Sequence, residues 1–241
     1  MTTPIHSVIV PVKNGARYIG ECLASILAQL ERDDELIVVD NGSTDDTVTL
    51  VQAAADPRIV LLHEPTPGPA AARNTALRQI RGAYVSFQDH DDLWPEGRQQ
   101  RLLEALRADP SANAAHGRES VVFDGPIDPA YTWMQGQYVN QHSLMCSLFE
   151  RSLIQRAGLM DQSMLRGEDS DYLIRLRQAG MVSAPCDTIV HIRRRHNTNW
   201  SSATPAVVRA NTLQVLRRNI ACKRRSNNPP LKRPDCRAAP E

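Results

Sequence analysis

The stretch Val85-Ser-Phe-Gln-Asp-His-Asp-Asp-Leu-Trp-Pro95 decides how the rest of this chain is interpreted. Its first residues are apolar and predict a buried strand, which a proline ends. Three carboxylates, Asp89, Asp91 and Asp92, lie within four positions of one another. Carboxylates this close repel each other unless a divalent cation or a proton lies between them. Two interpretations are open at this point, a metal or phosphate site and a solvated acidic turn after a strand.

Short apolar runs alternate with amphipathic segments up to this stretch and just beyond it. Strands are predicted at 6–12, 35–40, 58–63 and 83–88, and helices at 19–30, 44–55, 70–80 and 96–108. The second helix is expected to have Ser43 or Thr44 as its N-cap. This alternation predicts an α/β fold, a doubly wound and mostly parallel sheet, Rossmann-like, with helices on both faces. Ligands bind beyond the carboxyl ends of such strands, where Asp40 and Asp89 fall.

The second half of the chain carries weaker signals. A strand is predicted at 120–123, a loop or hairpin over the site at 124–143, helices at 152–157 and 168–179, a late strand at 187–193 and a closing helix at 205–220. We expect one domain over residues 1–221. Residues 222–241 are rich in proline and basic side chains and predict a disordered tail.

Composition narrows the function classes. Residues 1–221 hold 22 basic and 25 acidic side chains, so this part is not predicted to bind nucleic acid. The last 20 residues hold six Lys or Arg against two acidic residues, which makes the tail a candidate for peripheral contact with a membrane. The five cysteines form no C-x-x-C pair and are odd in number, which favours a reducing compartment. With neither a leader nor an apolar run of about 18 residues, the protein is expected to be soluble and cytoplasmic.

Two single residues have more than one interpretation. Asp40, at the tip of a buried strand, is either a cap for the next helix or an acceptor for a base N–H or a ribose hydroxyl of a nucleotide. Arg73 is either an ordinary solvated side chain or, if its helix directs its N-terminus at a ligand, a support for the acidic site or for nucleotide phosphates.

Two later segments have the same ambiguity. Gly167-Glu-Asp-Ser-Asp171 opens a predicted helix, where the macrodipole lowers the pKa of carboxylates. It is either an N-terminal cap with acidic residues in its first turn or the source of a general base for an acceptor hydroxyl. His191-Ile-Arg-Arg-Arg-His-Asn197 is either a basic surface segment or a source of charge stabilisation for a diphosphate, with His196 as a metal ligand.

Five sequence motifs, taken in order, are far more specific for a protein family than any one of them alone. Over about residues 5–200 the chain resembles, in the order and spacing of these motifs, the family 2 glycosyltransferases of the GT-A fold. The motifs are Val8-Ile-Val-Pro-Val-Lys-Asn14, Val38-Val-Asp-Asn-Gly-Ser-Thr-Asp-Asp46, Gly68-Pro-Ala-Ala-Ala-Arg-Asn74, Asp89-x-Asp91-Asp92 and Glu168-Asp169.

The resemblance implies a hexosyltransferase-like, generally inverting enzyme that uses a nucleotide sugar and Mn²⁺ or Mg²⁺. It implies a nucleotide-binding half of about 1–95 and an acceptor half of about 96–221. It implies that Asp169 is the base that deprotonates the acceptor, that Asp91 binds the metal and that His196, by a looser match, lies near it as a second ligand. Asp92 is left as a helix-start cap or a support for its neighbours. Binding of the nucleotide sugar is assigned to Pro11, Asn14, Asp40, Arg73, Asp89 and Glu168.

The departures from the family pattern suggest a single-transfer enzyme. The Gln-x-x-Arg-Trp motif and the membrane helices of processive synthases do not occur. We expect a UDP-sugar donor first and a GDP- or dTDP-sugar second, with an acceptor that is a glycan, a lipid-linked sugar, a peptide or a small metabolite. The short region after the base suggests help from a partner, a second copy or a membrane surface.

Two alternatives remain beside this reading. A sugar-phosphate nucleotidyltransferase would use a similar sheet and acidic site, but a G-x-G-[TS]-R loop does not follow the first strand. A catalytically silent protein that binds nucleotide sugar would lack a metal carboxylate or a base, and both are present here.

Overall fold

A computed structural model describes residues 6–126, 138–139, 143–164 and 166–196. The predicted closing helix at 205–220, the basic tail at 222–241 and most of the predicted loop at 124–143 lie outside the described residues. The expected domain boundary at residue 221 therefore stays a prediction.

The described residues form eight strands and six helices. The longest of these helices have 11 residues, and within the described ranges no helix has the length and hydrophobicity of a membrane span. In chain order the elements are β1 His6–Val12, α1 Ile19–Leu27, β2 Glu35–Asp40, α2 Thr47–Ala53, β3 Ile59–His63, α3 Pro69–Leu77, β4 Tyr84–Phe87, α4 Arg98–Ala108, β5 Ala114–Phe123, β6 Tyr138–Val139, β7 Ser147–Glu150, α5 Arg151–Ala157, α6 Glu168–Gln178 and β8 Ser183–Arg195.

The strands form one mixed sheet in the order β3-β2-β1-β4-β7-β5-β6, with β8 paired to β5. The first four strands are parallel to one another, and β8 runs parallel to β5. The short β7 is antiparallel to both β4 and β5 and joins the two halves of the sheet. The predicted α/β class, with its mostly parallel sheet, is confirmed.

Alternate residues of β1 pack on opposite faces of the sheet, because successive side chains of a strand point in opposite directions. Val8 and Val10 belong to the core cluster that includes the buried side of α1. Ile9, between them, belongs to the cluster that includes α3, α5 and α6. Each fully buried apolar side chain of this kind stabilises the fold by about 1.5–3 kcal/mol. Helices therefore cover both faces of the sheet, as predicted.

The N-cap prediction for α2 is wrong. Its N-cap is Asp46, and Ser43 and Thr44 lie in the preceding turn. The Ser43 hydroxyl accepts the N–H of Asn14, and the Thr44 N–H donates to the Asn14 side chain. These two polar residues tie the turn to the end of β1, so they are not available to cap the helix.

The second half of the sheet differs most from the prediction. β5 begins six residues before the predicted strand at 120–123, and β8 extends past the predicted 187–193 at both ends. β7, which was not predicted, has only four residues. β5 pairs with β8 along most of its length, with register shifts near Arg118. This pairing makes both strands longer than local sequence preference indicates.

Candidate active site

The candidate site lies at the carboxyl ends of three adjacent parallel strands, β2, β1 and β4. Asp40 is the last residue of β2, Asn14 follows β1, and Asp89 follows β4. Pro11 pairs in register with Val39 on β2, one residue before Asp40. The sheet order thus brings three of the predicted motifs to one edge, which is where doubly wound sheets bind ligands.

Two turns are joined at the ends of β1 and β2. Asn14 has a φ of 52°, in the left-handed region that asparagine tolerates better than most residues. Ser43 donates its N–H to Asp40 Oδ1 over 3.0 Å, and its hydroxyl accepts the Asn14 N–H at 2.9 Å. His63 Nδ1 lies 2.9 Å from Asp40 Oδ2. Because α2 begins only at Thr47, the interpretation of Asp40 as a cap for that helix is wrong.

Arg73 joins two acidic motifs that are far apart in sequence. Its Nη2 donates to Asp89 Oδ1 over 2.7 Å, and its Nη1 donates to Glu168 Oε1 over 2.8 Å. The arginine is only 3% exposed, so its charge is balanced by these carboxylates and not by bulk water. Of the two interpretations of Arg73, the contacts favour support of the acidic site.

The electrostatics of this bridge follow from its burial. Burial raises the pKa of Glu168, and the Arg73 guanidinium opposes that shift. Burial disfavours the charged form of Arg73, but Asp89 and Glu168 outweigh it and raise the pKa of the guanidinium. Arg73 therefore stays charged and holds the two carboxylates at fixed positions.

Asp169 is the next residue after this bridge, in the first turn of α6. The turn begins after Gly167, whose φ of 75° suits glycine, and it contains the acidic residues Glu168, Asp169 and Asp171. Asp169 is half-buried, and its Oδ1 accepts the N–H of Ser170 at 2.7 Å. Its carboxylate thus lies beside the Arg73 bridge with one oxygen fixed by the backbone.

Asp91 and His196 also meet. His196 Nε2 lies 3.1 Å from Asp91 Oδ2, and the two side chains are 5% and 15% exposed. Two ligands at about 2.1 Å from one divalent ion, on adjacent corners of its coordination shell, are about 3 Å apart. The pair is within hydrogen-bond distance, and the same separation is compatible with two ligands of one divalent metal. The two predicted metal ligands are brought together.

Asp92 connects the acidic loop to β8. Its Oδ1 accepts the backbone N–H of Arg194 at 2.7 Å, and its Oδ2 lies 3.1 Å from His191 Nε2. Leu93 and Ile192 exchange two backbone hydrogen bonds of 3.0 Å beside these contacts. Of the two roles predicted for Asp92, these contacts favour support of its neighbours. The helix-start cap is wrong, because α4 begins only at Arg98.

His191 is fully buried between two carboxylates. On the side opposite Asp92, its Nδ1 lies 3.1 Å from Glu119 Oε2, and Arg193 Nη1 lies 3.3 Å from the other oxygen of Glu119. Burial disfavours the imidazolium, yet Asp92, Cys146 and Glu119 outweigh it and raise the pKa of His191 well above 6.5. The charges of His191 and Arg193 then balance those of the Asp92 and Glu119 carboxylates.

A second group of potential metal ligands lies in this network, since Glu119, Cys146 and His191 offer donor atoms within 4.8 Å of one another. All three are buried, and one donor is a thiol, which Mg²⁺ and Mn²⁺ do not favour. The neighbouring Arg193 would also repel a cation. The charges of this cluster are balanced without an ion, so Asp91 and His196 are the better candidates for a Mn²⁺ or Mg²⁺ site.

The comparison with known families decides the assignment. The profile described as "Glycosyl transferase family 2" matches residues 7–160. The chain belongs to glycosyltransferase family 2. The matched region contains the turns after β1 and β2, Arg73 and the acidic loop, and it ends before Glu168 and Asp169.

Relatives of this family 2 chain are longer than the chain itself. An uncharacterized glycosyltransferase of Rickettsia prowazekii is 29% identical over 189 residues, which is 70% of this chain and 57% of the relative. The chondroitin synthase of Escherichia coli is 26% identical over 226 residues, 90% of this chain and 33% of that enzyme.

Solved structures of GT-A glycosyltransferases have the same fold. TarS of S. aureus (residues 1–349) in complex with UDP-GlcNAc matches with a TM-score of 0.68 at 20% identity, covering 83% of this chain and 61% of TarS. The mannosyltransferase PcManGT of Pyrobaculum calidifontis, in complex with GDP-Man and Mn²⁺, matches with a TM-score of 0.64 at 26% identity, covering 93% of this chain and 65% of that one.

Several residues that shape the site of this family 2 chain were not predicted from the sequence. His191 was noted only as part of a basic segment, and Glu119, Tyr18 and Asp124 were not noted at all. Glu119 lies inside β5, one residue before the strand predicted at 120–123. A carboxylate next to a predicted strand is a signal that could have been used, because a charge in a buried strand requires a partner. Tyr18 carries no comparable signal, since an aromatic residue near a helix start is ordinary.

His191→Gln is expected to remove a pH dependence of stability. The folded-state pKa of His191 lies above its unfolded value, so its stabilisation is fully present below the unfolded pKa of about 6.5 and is lost as the pH rises through the folded-state pKa. The variant should be less stable than the wild type at about pH 6, and this difference should shrink toward about pH 9. Urea unfolding across that range measures it, and a difference that stays constant would contradict the charged state of His191.

Proposed function

We propose that this chain transfers a sugar from a nucleotide-sugar donor to an acceptor hydroxyl, with the help of a divalent metal and with inversion at the anomeric carbon. Membership of glycosyltransferase family 2 supports the reaction class. UDP-sugars are the first donors to test, and GDP-sugars the second because PcManGT is described with GDP-Man. The acceptor and the cytoplasmic location stay predictions.

One observation carries the proposal, namely that Arg73 contacts both Asp89 and Glu168. It supports a single site in which the acidic loop after β4 and the first turn of α6 face the same donor. The neighbouring Asp169 is then close enough to the donor side of the site to serve as the base.

The roles of the remaining residues follow from their positions. Pro11, Asn14 and Asp40, at the ends of β1 and β2, are proposed to contact the nucleoside. Asp89 is proposed to bind the ribose, held by Arg73, and Glu168 to fix Arg73 and thereby the donor.

Transfer requires one bond to form and one to break. The acceptor oxygen attacks the anomeric carbon as the bond from that carbon to the diphosphate oxygen breaks, and Asp169 takes the acceptor proton. Attack opposite the leaving group gives an inverted glycoside and a nucleoside diphosphate. Asp91 and His196 would hold the metal, which neutralises charge on the departing diphosphate. A carboxylate paired with an imidazole favours Mn²⁺ over Mg²⁺, because Mg²⁺ prefers oxygen ligands.

The proposal is tested with UDP-, GDP- and dTDP-sugars, each titrated with and without Mn²⁺, while release of nucleoside diphosphate is followed over a panel of acceptors. Metal-dependent binding of one donor and release of its nucleoside diphosphate are expected. Absence of binding for all three donors would refute the proposal. Release of pyrophosphate in a parallel reaction that supplies a nucleoside triphosphate and a sugar 1-phosphate would indicate a nucleotidyltransferase. Binding of a nucleotide sugar without turnover would indicate a silent protein.

Asp91→Asn is expected to weaken Mn²⁺-dependent binding of the nucleoside diphosphate by at least about tenfold, because an amide is a poor substitute for a carboxylate ligand. Isothermal titration with the best-binding diphosphate measures this effect. Asp109→Asn, at a half-buried position just after α4, is the matched control and should bind as the wild type does. An unchanged metal dependence in Asp91→Asn would contradict the assignment of the ligand.

A further inference from the structure

Tyr18 lies between the end of β1 and the start of α1 and is only 5% exposed. Its ring stacks on the imidazole of His196, with ring centroids 4.5 Å apart and planes inclined by 28°. On the same tyrosine, the Arg194 guanidinium carbon lies 4.8 Å from the ring centroid. A tyrosine just after the first motif of the chain therefore contacts His196, which directly follows β8.

The position of the tyrosine is itself fixed at its hydroxyl. The Tyr18 hydroxyl donates to Asp124 Oδ2 over 2.8 Å, and Arg17 Nη2 lies 3.0 Å from the same oxygen. The backbone N–H of Asp124 donates to the Arg195 carbonyl over 2.8 Å, beside His196. The ring is thus held at both ends, by its own backbone and by a carboxylate that is tied to the segment carrying His196.

The backbone under the ring is also constrained. The Tyr18 N–H donates to the Gly15 carbonyl over 3.0 Å. A Cβ atom at Gly15 would lie 2.5 Å from the His90 ring, so only glycine lets this turn approach the acidic loop so closely. The tyrosine and the loop that carries Asp91 are therefore part of one tightly packed region.

We propose that Tyr18 is a positioning residue for the metal site, which holds the His196 imidazole against Asp91 by stacking on it. The inference rests on the proposed metal role of Asp91 and His196. His196 directly follows the last residue of β8, and its Nε2 is the atom that lies near Asp91. Stacked aromatic pairs restrict ring orientation, and groups that orient a ligand affect metal affinity without touching the metal. Tyr18 supplies that orientation through its ring contact with His196.

The test compares two substitutions of similar volume. Tyr18→Phe keeps the stacked ring, and Tyr18→Leu removes it but keeps an apolar side chain. Mn²⁺ affinity is measured by the electron paramagnetic resonance signal of free Mn²⁺, with the best-binding of UDP, GDP and dTDP at saturation. Tyr18→Leu is expected to weaken Mn²⁺ binding about tenfold, and Tyr18→Phe to change it by less than about twofold. Binding of the same diphosphate in EDTA should be equal in all three proteins.

A double-mutant cycle with His196→Ala separates positioning from a general loss of packing. If Tyr18 acts through His196, Tyr18→Leu has no further effect on Mn²⁺ affinity once His196 is removed. Tyr18→Met, which also removes the stacked ring and keeps an apolar side chain, should weaken Mn²⁺ binding in the same direction and serves if Tyr18→Leu does not fold.

The outcomes distinguish this inference from the proposed function. Unchanged Mn²⁺ affinity in Tyr18→Leu, or equal losses with and without His196, would overturn the positioning role while the metal site stands. A wild-type protein that binds a diphosphate but no Mn²⁺ would overturn the metal role and the inference together.

Discussion

Asp169→Asn is expected to lower the rate of sugar transfer by roughly 10²–10⁴-fold and to leave donor binding intact. Asparagine has the shape of aspartate but cannot accept the acceptor proton at neutral pH. The hydrogen bond from the Ser170 N–H to Asp169 Oδ1 can also form with the asparagine oxygen, so the first turn of α6 should keep its geometry. Single-turnover release of nucleoside diphosphate measures the rate, and isothermal titration measures donor binding.

Ser170→Ala is the matched control, because it changes the adjacent exposed side chain and keeps the backbone donor. Its transfer rate is expected to stay within about twofold of the wild type, as is usual for exposed substitutions away from the chemistry. Transfer by Asp169→Asn at the wild-type rate would show that another group is the base. Loss of donor binding in the same variant would instead assign Asp169 to the donor site.

The parts of the fold that the sequence predicted best are those fixed by local pattern. β1 and β2 were predicted with the bounds that the structure has, because each is a run of buried β-branched and aliphatic residues with a polar turn at its end. β7 was missed because four residues carry too little periodicity to indicate a strand. It pairs on both sides, so tertiary contacts and not local preference determine it.

The same distinction applies to the site. Asp40, Asp89 and Asp91 could be singled out because each lies at the end of a predicted strand or just after it, where a short sequence motif is enough to indicate a site. The contact between Arg73 and Glu168 spans 95 positions, and that between Tyr18 and Asp124 spans 106. No local pattern indicates contacts at such separations, since they depend on how α3, α6 and the ends of β5 and β8 pack on the sheet.

Arg73→Met is expected to destabilise the fold by about 3–5 kcal/mol, because it removes one partner of a buried charge network and leaves Glu168 without its cation. Loss of the contact with Asp89 costs less stability, because Asp89 is one-third exposed and water can replace part of the interaction with Arg73. Urea unfolding measures the loss. Arg78→Met, on the exposed side just after α3, is the matched control and should change stability by less than about 0.5 kcal/mol.

The pH dependence of this loss identifies its cause. Burial raises the pKa of Glu168 above its usual value of 4.5, and removal of Arg73 should raise it further. A carboxyl group with a raised folded-state pKa contributes stability that is fully present below its unfolded pKa and is lost as the pH rises through the folded-state pKa. The deficit of Arg73→Met should therefore be largest near neutral pH and shrink toward about pH 4, where Glu168 is protonated. The double variant Arg73→Met, Glu168→Gln should recover part of the stability at neutral pH. A deficit that is independent of pH and unaffected by Glu168→Gln would mean that Arg73 matters through its packing and not as the charge that joins the acidic loop to α6.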